Sequence, residues 1–306
     1  MFNFIEPMRP FGGALVNRNA SVKGHLQTLI GHFAKSELFS FPTEFIKLKL
    51  NSGTGNYCGL HISVPFERSK KVLLLFHGLG GSGQVFGDYT EPYHSGRGED
   101  VSDVLDYSKN RFSDCEQIVL GVSMSGTIIL NLLTGRFGKT QPDRAIVINA
   151  PLNLHDASAR LQNGFSQLYD WRFYYKLKKM ILKKEKTLRL PRIGNTATID
   201  ELFTSKKSGF RNKNHYYDEC SPYLHLNRIK TRTYVLTSAD DPIVSYDLYK
   251  KAQWPDSCRV HISSAGGHVG YYSNQPITVQ NKNFGHRWLD YFLFSLFQTI
   301  SSDNRA

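Results

Sequence analysis

A short apolar run, a glycine-serine turn and an apolar helical pattern follow one another in this chain, and they constrain its fold more than any other stretch. The run is Ile118-Val119-Leu120, the turn extends from Gly121 to Gly126, and the helical pattern continues through Leu133. The length and branching of the run predict a buried parallel strand that leads directly into a helix. The stretch therefore favours an α/β fold with a mostly parallel sheet.

Ser123, at the centre of this turn, has the setting of an activated nucleophile. A serine becomes a good nucleophile only when a base takes its proton, so its hydroxyl has to project from the backbone. A sharp strand-to-helix turn provides this when small residues stand two before and two after the serine, as Gly121 and Ser125 do. The match to G-x-S-x-G is imperfect, because Ser125 stands where glycine is usual. The alternative is a structural Gly-Ser joint without catalytic role.

The composition is that of a chain with a substantial core. Of its 306 residues, 40% are hydrophobic and 13% aromatic, which argues against disorder and permits one large α/β domain. A formal charge of +12 would permit nucleic-acid binding. The basic residues form no stripe interleaved with aromatic residues, however, so we expect no nucleic-acid partner. A basic surface near anionic lipid or substrate stays open.

The cysteines and the N-terminal residues bear on the compartment. The four cysteines are far apart and form no C-x-x-C pair, which fits a reducing compartment and gives no metal signature. The sequence from Met1 lacks a basic region followed by an apolar one, and no run of about 18 apolar residues occurs. We therefore expect a cytoplasmic protein.

The first half of the chain predicts a hairpin and then a core strand. Glu44–Leu50 and Tyr57–Val64 alternate apolar and polar residues around a glycine-containing turn, as antiparallel edge strands do. Lys71–Phe76 is a continuous apolar run, which predicts a strand buried on both faces. The loop His77–Gly83 follows; it lacks the spacing of a phosphate-binding loop. Its better interpretation is a backbone donor, the N–H of Leu79, that faces an oxyanion together with the N–H of Met124.

Three further core strands and a terminal helix complete the predicted sheet. The strands are Ala145–Pro151, Arg232–Thr237 and Cys258–Ser263, and the helix spans about 283–299 with an aromatic face that packs on the core. Residues 152–228 have a different pattern, with aromatic and basic residues at helical spacing. We expect a single domain over 1–306 in which 152–228 form a helical cap above the carboxyl ends of the strands.

The lysines of the predicted cap allow two interpretations. Lys178, Lys179, Lys183 and Lys184 are close together in the sequence. They either form a solvated helix face or make peripheral contact with an anionic membrane or substrate.

Three chemically suitable residues directly follow predicted strands. Ser123, Asp241 and His268 would share one edge of the sheet, because chemistry in parallel sheets occurs at the carboxyl ends of strands. Their order along the chain, Ser then Asp then His, is that of α/β-hydrolases. An imidazole suits a general base, and a carboxylate is needed to hold its tautomer. Asp240 is a second candidate for this carboxylate; an Asx-turn is the structural alternative for both.

Motifs along nearly the whole chain resemble the YheT-like family of α/β-hydrolases. They are Gly24-His-Leu-Gln-Thr28, Leu75-Phe-His-Gly-Leu79, Tyr93-His-Ser-Gly96 with Glu99-Asp100, Gly121-Val-Ser-Met-Ser125, Asp240-Asp-Pro242 and Gly266-Gly-His-Val-Gly270. The resemblance implies a carboxylic-ester hydrolase of the serine esterase or lipase type, with Ser123, Asp241 and His268 as its triad. It implies no metal or organic cofactor. Within the first motif, His25 on its own reads as a surface or packing histidine.

The chain departs from the family pattern between the glycine loop and Tyr93. The family carries a further helix and strand there, whereas this chain has only Gln84 to Pro92, so roughly one α-plus-β unit, on the order of 30 residues, is missing. We expect the N-terminal hairpin either to pair directly with Lys71–Phe76 or to leave an exposed sheet edge and apolar face. The loss also raises the alternative of a non-catalytic binding or scaffold protein that keeps the hydrolase fold.

Overall fold

Five parallel strands form the central sheet of the computed structural model, which describes residues 20–34, 42–51, 56–64, 69–79 and 92–302. In spatial order the strands are β3 (Lys71–Phe76), β4 (Glu116–Val122), β5 (Arg144–Ile148), β6 (Arg232–Ser238) and β7 (Cys258–Ser263). Every neighbouring pair is parallel. The parallel sheet predicted from the sequence is confirmed.

Helices cover both faces of the sheet and create two apolar cores. On one face, α2 (Gly98–Arg111) and α3 (Met124–Leu133) pack on alternate strand residues such as Val119 and Val147. On the other face, Ile118, Leu120 and their neighbours pack against α10 (Trp288–Ser302). This division follows from the period of two in a strand, which sends successive side chains to opposite faces. Successive residues of the β4 run therefore belong to different cores.

The C-terminal helix begins later than the sequence pattern predicted. Its aromatic face is buried as expected, with Trp288 and Phe292 each 1% exposed. The residues from 283 to 287 are not helical, however, because β8 (Thr278–Val279) and β9 (Lys282–Asn283) form a small antiparallel hairpin first. Gly285 then adopts a φ of 54°, a left-handed conformation that ends the hairpin outside the helical region.

The N-terminal hairpin forms but does not join the central sheet. Strands β1 (Thr43–Lys49) and β2 (Tyr57–Ser63) pair only with each other among the described residues. A cavity of about 1050 Å³ separates β2 from β3 and is lined by both strands. Of the two expected outcomes of the missing unit, the described part of the chain has the open sheet edge: there, β3 pairs with β4 alone.

The prediction that β3 is buried on both faces is wrong. Leu73 is 45% and Leu75 70% exposed, although both belong to a continuous apolar run. Both side chains lie on the face that α10 covers further along the sheet, as their register with Ile118 and Leu120 shows. α10 packs on the strands beyond β3, and among the described residues no helix covers this end of that face.

The segment between β5 and β6 is entirely helical or irregular, and we call residues 152–228 the helical insertion. Its elements, in order, are α4 (Leu154–Leu161), α5 (Ser166–Lys184), α6 (Thr196–Ile199), a π-helical turn (Asp200–Thr204), α7 (Ser205–Lys207), α8 (Lys213–Cys220) and a 3₁₀ helix (Tyr223–Arg228). The remaining helices are α1 (Ala20–Phe33) before the hairpin and α9 (Tyr246–Lys251) between β6 and β7. Among the described residues, no helix is long and apolar enough to cross a membrane.

Candidate active site

Ser123 lies at the sharp turn between β4 and α3, and its backbone is strained. It has φ 57° and ψ −123°, a conformation that costs a non-glycine residue of order 1–3 kcal/mol. Its N–H donates to the Ile148 carbonyl at 2.8 Å, which ties the turn to β5. A Cβ at Gly121 would lie 2.7 Å from the carbonyl oxygen of Ser125, so only glycine fits there. The small residue before the serine is thus required by the close approach of strand and helix.

Ser125, the departure from the usual motif, is built into the turn. Its hydroxyl accepts from the N–H of Val122 at 2.8 Å, and carbonyl oxygens of Phe76 and Val122 lie 2.8 and 3.0 Å from it. The residue is fully buried. The hydroxyl therefore joins the end of β3 to the start of α3, a contact that glycine could not make.

The side chains of Ser123, His268 and Asp241 form one hydrogen-bonded row. His268 Nε2 is 2.9 Å from Ser123 Oγ, and His268 Nδ1 is 2.9 Å from Asp241 Oδ2. With the proton on Nδ1, the imidazole donates to the carboxylate and can accept the serine proton. The carboxylate is fully buried, whereas the imidazole is 11% exposed. Three residues from distant parts of the chain thus meet at the carboxyl edge of the sheet.

The carboxylate of Asp241 is held by four donors. Its Oδ1 accepts from the backbone N–H groups of Ile243 and Val244 at 2.8 and 2.9 Å. Its Oδ2 accepts from His268 and, at 2.6 Å, from Asn149 Nδ2. Four donors match the acceptor capacity of an ionised carboxylate, so it has little freedom to rotate. The Asx-turn and the partnership with histidine are therefore both present at Asp241.

Asn149 was not recognised from the sequence as part of this site. It directly follows β5, has a φ of 47°, and is fully buried. Besides Asp241, it contacts the Gly267 carbonyl at 3.2 Å and accepts from the Tyr271 hydroxyl at 2.8 Å. The available signal was a polar residue at the end of a buried strand, on the edge that carries the other three.

Asp240 supports the loop before His268 rather than the imidazole. Its Oδ1 accepts from the N–H of Gly267 at 2.9 Å. Burial raises the pKa of this carboxyl above its ordinary value. The choice of Asp241 over Asp240 as the partner of His268 agrees with this geometry.

Leu79 and Met124 line the same cavity as Ser123 and His268. Met124 is the first residue of α3, where a backbone N–H has no partner within the helix. Both residues thus border the cavity that Ser123 and His268 line. Residues 80–83 of the glycine loop lie outside the described residues.

An apolar cavity of about 180 Å³ extends from Ser123 into the helical insertion. Its walls include Leu154, Phe173, Leu177 and Ile199, which come from the insertion. Asp200 also lines it, and burial raises the pKa of this carboxyl to about 6. Among the described residues, no group of three or more His, Cys, Asp or Glu side chains is placed to hold a metal ion.

Comparison with known proteins gives relatives among esterases and lipases. No protein-family model matches the chain. It is 26% identical over 285 residues to "Putative esterase YheT" of Escherichia coli, with 81% of this chain and 84% of that protein covered. It is 24% identical over 211 residues to monoacylglycerol lipase of Saccharomyces cerevisiae, with 64% of this chain covered but only 45% of the lipase. Since 81% of 306 residues is fewer than 285, the first alignment includes positions that this chain lacks, in agreement with a missing unit.

Solved structures support the same fold at low sequence identity. Esterase Pf2001 of Pyrococcus furiosus superposes with a TM-score of 0.51 at 12% identity, over 76% of this chain and 88% of that one. Acylaminoacyl peptidase of Pyrococcus horikoshii gives 0.52 at 13% identity, over 89% of this chain and 43% of that one. At such identities the likeness shows the fold alone.

The fold is that of an α/β-hydrolase, with a parallel sheet, helices on both faces and the predicted site residues at its carboxyl edge. Within this class, the chain is similar to YheT and, over a shorter stretch, to the yeast lipase, which is consistent with a YheT-like α/β-hydrolase. Its relatives are esterases and lipases, which supports ester hydrolysis.

Proposed function

We propose that the protein hydrolyses carboxylic esters through a Ser123-His268-Asp241 triad and an acyl-enzyme intermediate. The row of two 2.9 Å hydrogen bonds beside an apolar cavity is the observation that carries the proposal. Geometry of this kind defines the triad on unrelated folds, independently of sequence position.

Each residue has a distinct role in the proposed reaction. Ser123 Oγ attacks the ester carbonyl while His268 Nε2 takes its proton, and His268 then returns the proton to the leaving alkoxide. Asp241 keeps the imidazole in the correct tautomer and stabilises its charged form. The backbone N–H groups of Met124 and Leu79 stabilise the oxyanion of the tetrahedral intermediate. Water, activated by the same histidine, hydrolyses the acyl-enzyme.

The cavity supports an acyl substrate with a hydrocarbon chain. Its walls beyond Ser123 are mainly apolar side chains of the helical insertion, which bury hydrocarbon favourably. We propose short- to medium-chain acyl esters or lipid esters as substrates. The relatives named monoacylglycerol lipase fit this class.

A fluorophosphonate probe and p-nitrophenyl esters of several chain lengths test the proposal together. We expect labelling and turnover of the folded protein, and loss of both in Ser123→Ala. Asp241→Asn should lower kcat by a factor on the order of 10⁴, because the wrong imidazole tautomer would be favoured. A folded wild-type protein that neither labels nor turns over any ester would contradict the proposal.

The open edge of β3 favours one rival function. The exposed Leu73 and Leu75 and the cavity between β2 and β3 suit a binding or scaffold protein that keeps the hydrolase fold without catalysis. Such a protein would fold cooperatively yet leave the probe unreacted, so the labelling experiment separates the two functions.

The outer face of α5 supports peripheral contact with an anionic membrane. Leu168, Trp171 and Tyr175 recur at helical spacing and are 56%, 54% and 36% exposed. The same helix carries six basic residues and one acid, Asp170, which is buried and bonded to Thr196. Exposed aromatic and aliphatic residues beside charges of one sign are typical of helices that lie in the membrane interface.

Vesicle binding tests this contact separately from catalysis. We expect the protein to bind vesicles containing phosphatidylserine and to be released by salt, because surface charges are screened. Replacing Lys178, Lys179, Lys183 and Lys184 by glutamine should weaken binding. Binding that ignores both salt and these substitutions would exclude the membrane role.

A further inference from the structure

Backbone contacts join α1 to the loop that carries His268. A Cβ at Gly267 would lie 2.3 Å from the Gly24 carbonyl oxygen, and one at Gly31 would lie 2.4 Å from Gly270 Cα. A Cβ at Gly270 itself would lie 2.0 Å from the carbonyl oxygen of Gln27. Because glycines on both sides let the two backbones touch, α1 packs directly against the loop.

Gln27 and Thr28 add hydrogen bonds on both sides of the histidine. Thr28 Oγ1 accepts from the backbone N–H of His268 at 2.9 Å and donates to the Gly24 carbonyl at 2.7 Å. Gln27 is fully buried; its Nε2 donates to the Tyr272 carbonyl at 3.0 Å and its Oε1 accepts from the Tyr272 N–H at 2.7 Å. The loop is therefore fixed at the histidine and again four residues later.

The loop needs such support because its own conformation is unfavourable. Val269, directly after the histidine, has a φ of 68°, which is an outlier for a β-branched residue. Strain of this kind costs of order 1–3 kcal/mol and persists only where surrounding contacts impose it. The hydrogen bonds from α1 can impose this conformation, because they hold His268 before Val269 and Tyr272 after it.

We propose that Gln27 and Thr28 are positioning residues that hold His268 within reach of both Ser123 and Asp241. This inference rests on the proposed function, because positioning matters when His268 transfers the proton of Ser123. It gives a role to the Gly24–Thr28 motif, which the row of three side chains leaves without one. Neither residue touches the reacting atoms; both act through the backbone of the histidine loop.

Thr28→Val is the most direct perturbation, because it keeps the shape and removes the acceptor. We expect kcat on p-nitrophenyl esters to fall about 10- to 100-fold with KM unchanged, as displacement of a catalytic group by about 1 Å does. Thr28→Ser keeps the hydroxyl and should restore the wild-type kcat. Gln27→Met, which removes both bonds to Tyr272, should behave like Thr28→Val.

Thr134→Val is the matched control. It makes the same atom exchange at a buried threonine, whose hydroxyl donates to the Asn131 carbonyl at the far end of α3. Its urea midpoint should shift about as much as that of Thr28→Val, while kcat stays at the wild-type value. Equal losses of kcat in the two variants would mean that Thr28 acts only through stability, and the proposal would be wrong.

Gly31→Ala is an independent perturbation, because its effect on helix stability and its effect on the loop should have opposite signs. Alanine favours a helix over glycine by about 1 kcal/mol, so α1 alone should become more stable. Its Cβ would nevertheless press against Gly270 Cα, and we expect kcat to fall. A full kcat in this variant would show that α1 does not set the position of the loop.

A proton NMR readout makes the test independent of turnover. The Nδ1 proton between His268 and Asp241 should give a low-field resonance in the wild type, in Thr28→Ser and in Thr134→Val, and lose it in Thr28→Val. The same resonance in Thr28→Val would overturn the inference, as would its absence from the wild type. If the wild type is inactive but shows the resonance, the esterase function is refuted. The comparison of the resonance between the wild type and Thr28→Val would then still test whether Thr28 positions His268.

Discussion

Leu75 offers a direct test of the open edge, because it faces a matched partner. Leu75 of β3 lies opposite Leu120 of β4 in the parallel register. The two leucines are on the same face of the sheet, yet Leu75 is 70% exposed and Leu120 is 3% exposed. Replacing each by alanine removes the same atoms from two very different environments.

The expected costs follow from these exposures. A buried Leu→Ala substitution costs about 2–5 kcal/mol, and we expect this for Leu120→Ala. If the cost scales with the buried part of the side chain, Leu75→Ala should lower the free energy of unfolding by only about 0.6–1.5 kcal/mol. The continuous apolar run, interpreted as a strand buried on both faces, would instead predict the larger value at both positions.

Urea unfolding followed by far-UV circular dichroism measures both costs. The midpoint should shift strongly for Leu120→Ala and weakly for Leu75→Ala, with the same dependence on denaturant concentration. If Leu75→Ala costs as much as Leu120→Ala, the face is covered in solution and the argument for an open edge fails. Repeating the measurement at two protein concentrations that differ tenfold shows whether a second molecule of the protein covers the face that carries Leu75.

Three further substitutions test the interior of the site and its surroundings. Burial lowers the pKa of His94 from 6.5 to about 3, so between these values only the unfolded chain binds the proton and stability falls as pH falls. In urea unfolding at pH 7, 6 and 5, the free energy of unfolding of the wild type should therefore fall by up to about 1.4 kcal/mol per pH unit, and His94→Asn should lack this fall. The same pH dependence in both proteins would contradict the prediction. Asn149→Ala removes a donor to a buried carboxylate and should lower kcat on p-nitrophenyl esters about 10- to 100-fold, whereas an unchanged kcat would exclude a role in holding Asp241. Ser125→Ala leaves the Val122 N–H without its bond and should cost about 1–3 kcal/mol in urea unfolding; a neutral result would show that the turn does not need this hydroxyl.

Local patterns were sufficient to predict the strands and the residues at their ends. The apolar run before Ser123 and the glycines around His268 specify a buried strand and a permissive loop without reference to the rest of the chain. The order of Ser123, Asp241 and His268 then followed from the common edge that parallel strands share. The aromatic face of α10 was equally readable from its spacing.

Features that depend on distant neighbours were not readable in this way. An apolar run states the environment that Leu73 and Leu75 would prefer, but not whether a helix is present to cover them. Asn149 has its role because three strand ends meet, which no single segment reveals. The start of α10 was missed because the positive φ of Gly285 ends a hairpin whose residues also fit a helical pattern.

The range of the contacts around His268 determines when the site can form. Its hydrogen bond to Thr28 joins residues 240 positions apart, and its bond to Ser123 joins residues 145 positions apart. During synthesis α1 is therefore made long before the loop that it contacts. A helix of 14 residues is only marginally stable alone in water. The row of Ser123, His268 and Asp241 should assemble among the last events of folding, after β7 has paired with β6. If the proposed esterase activity is present, the first release of product from a fluorogenic ester during translation would then mark the time at which folding is complete.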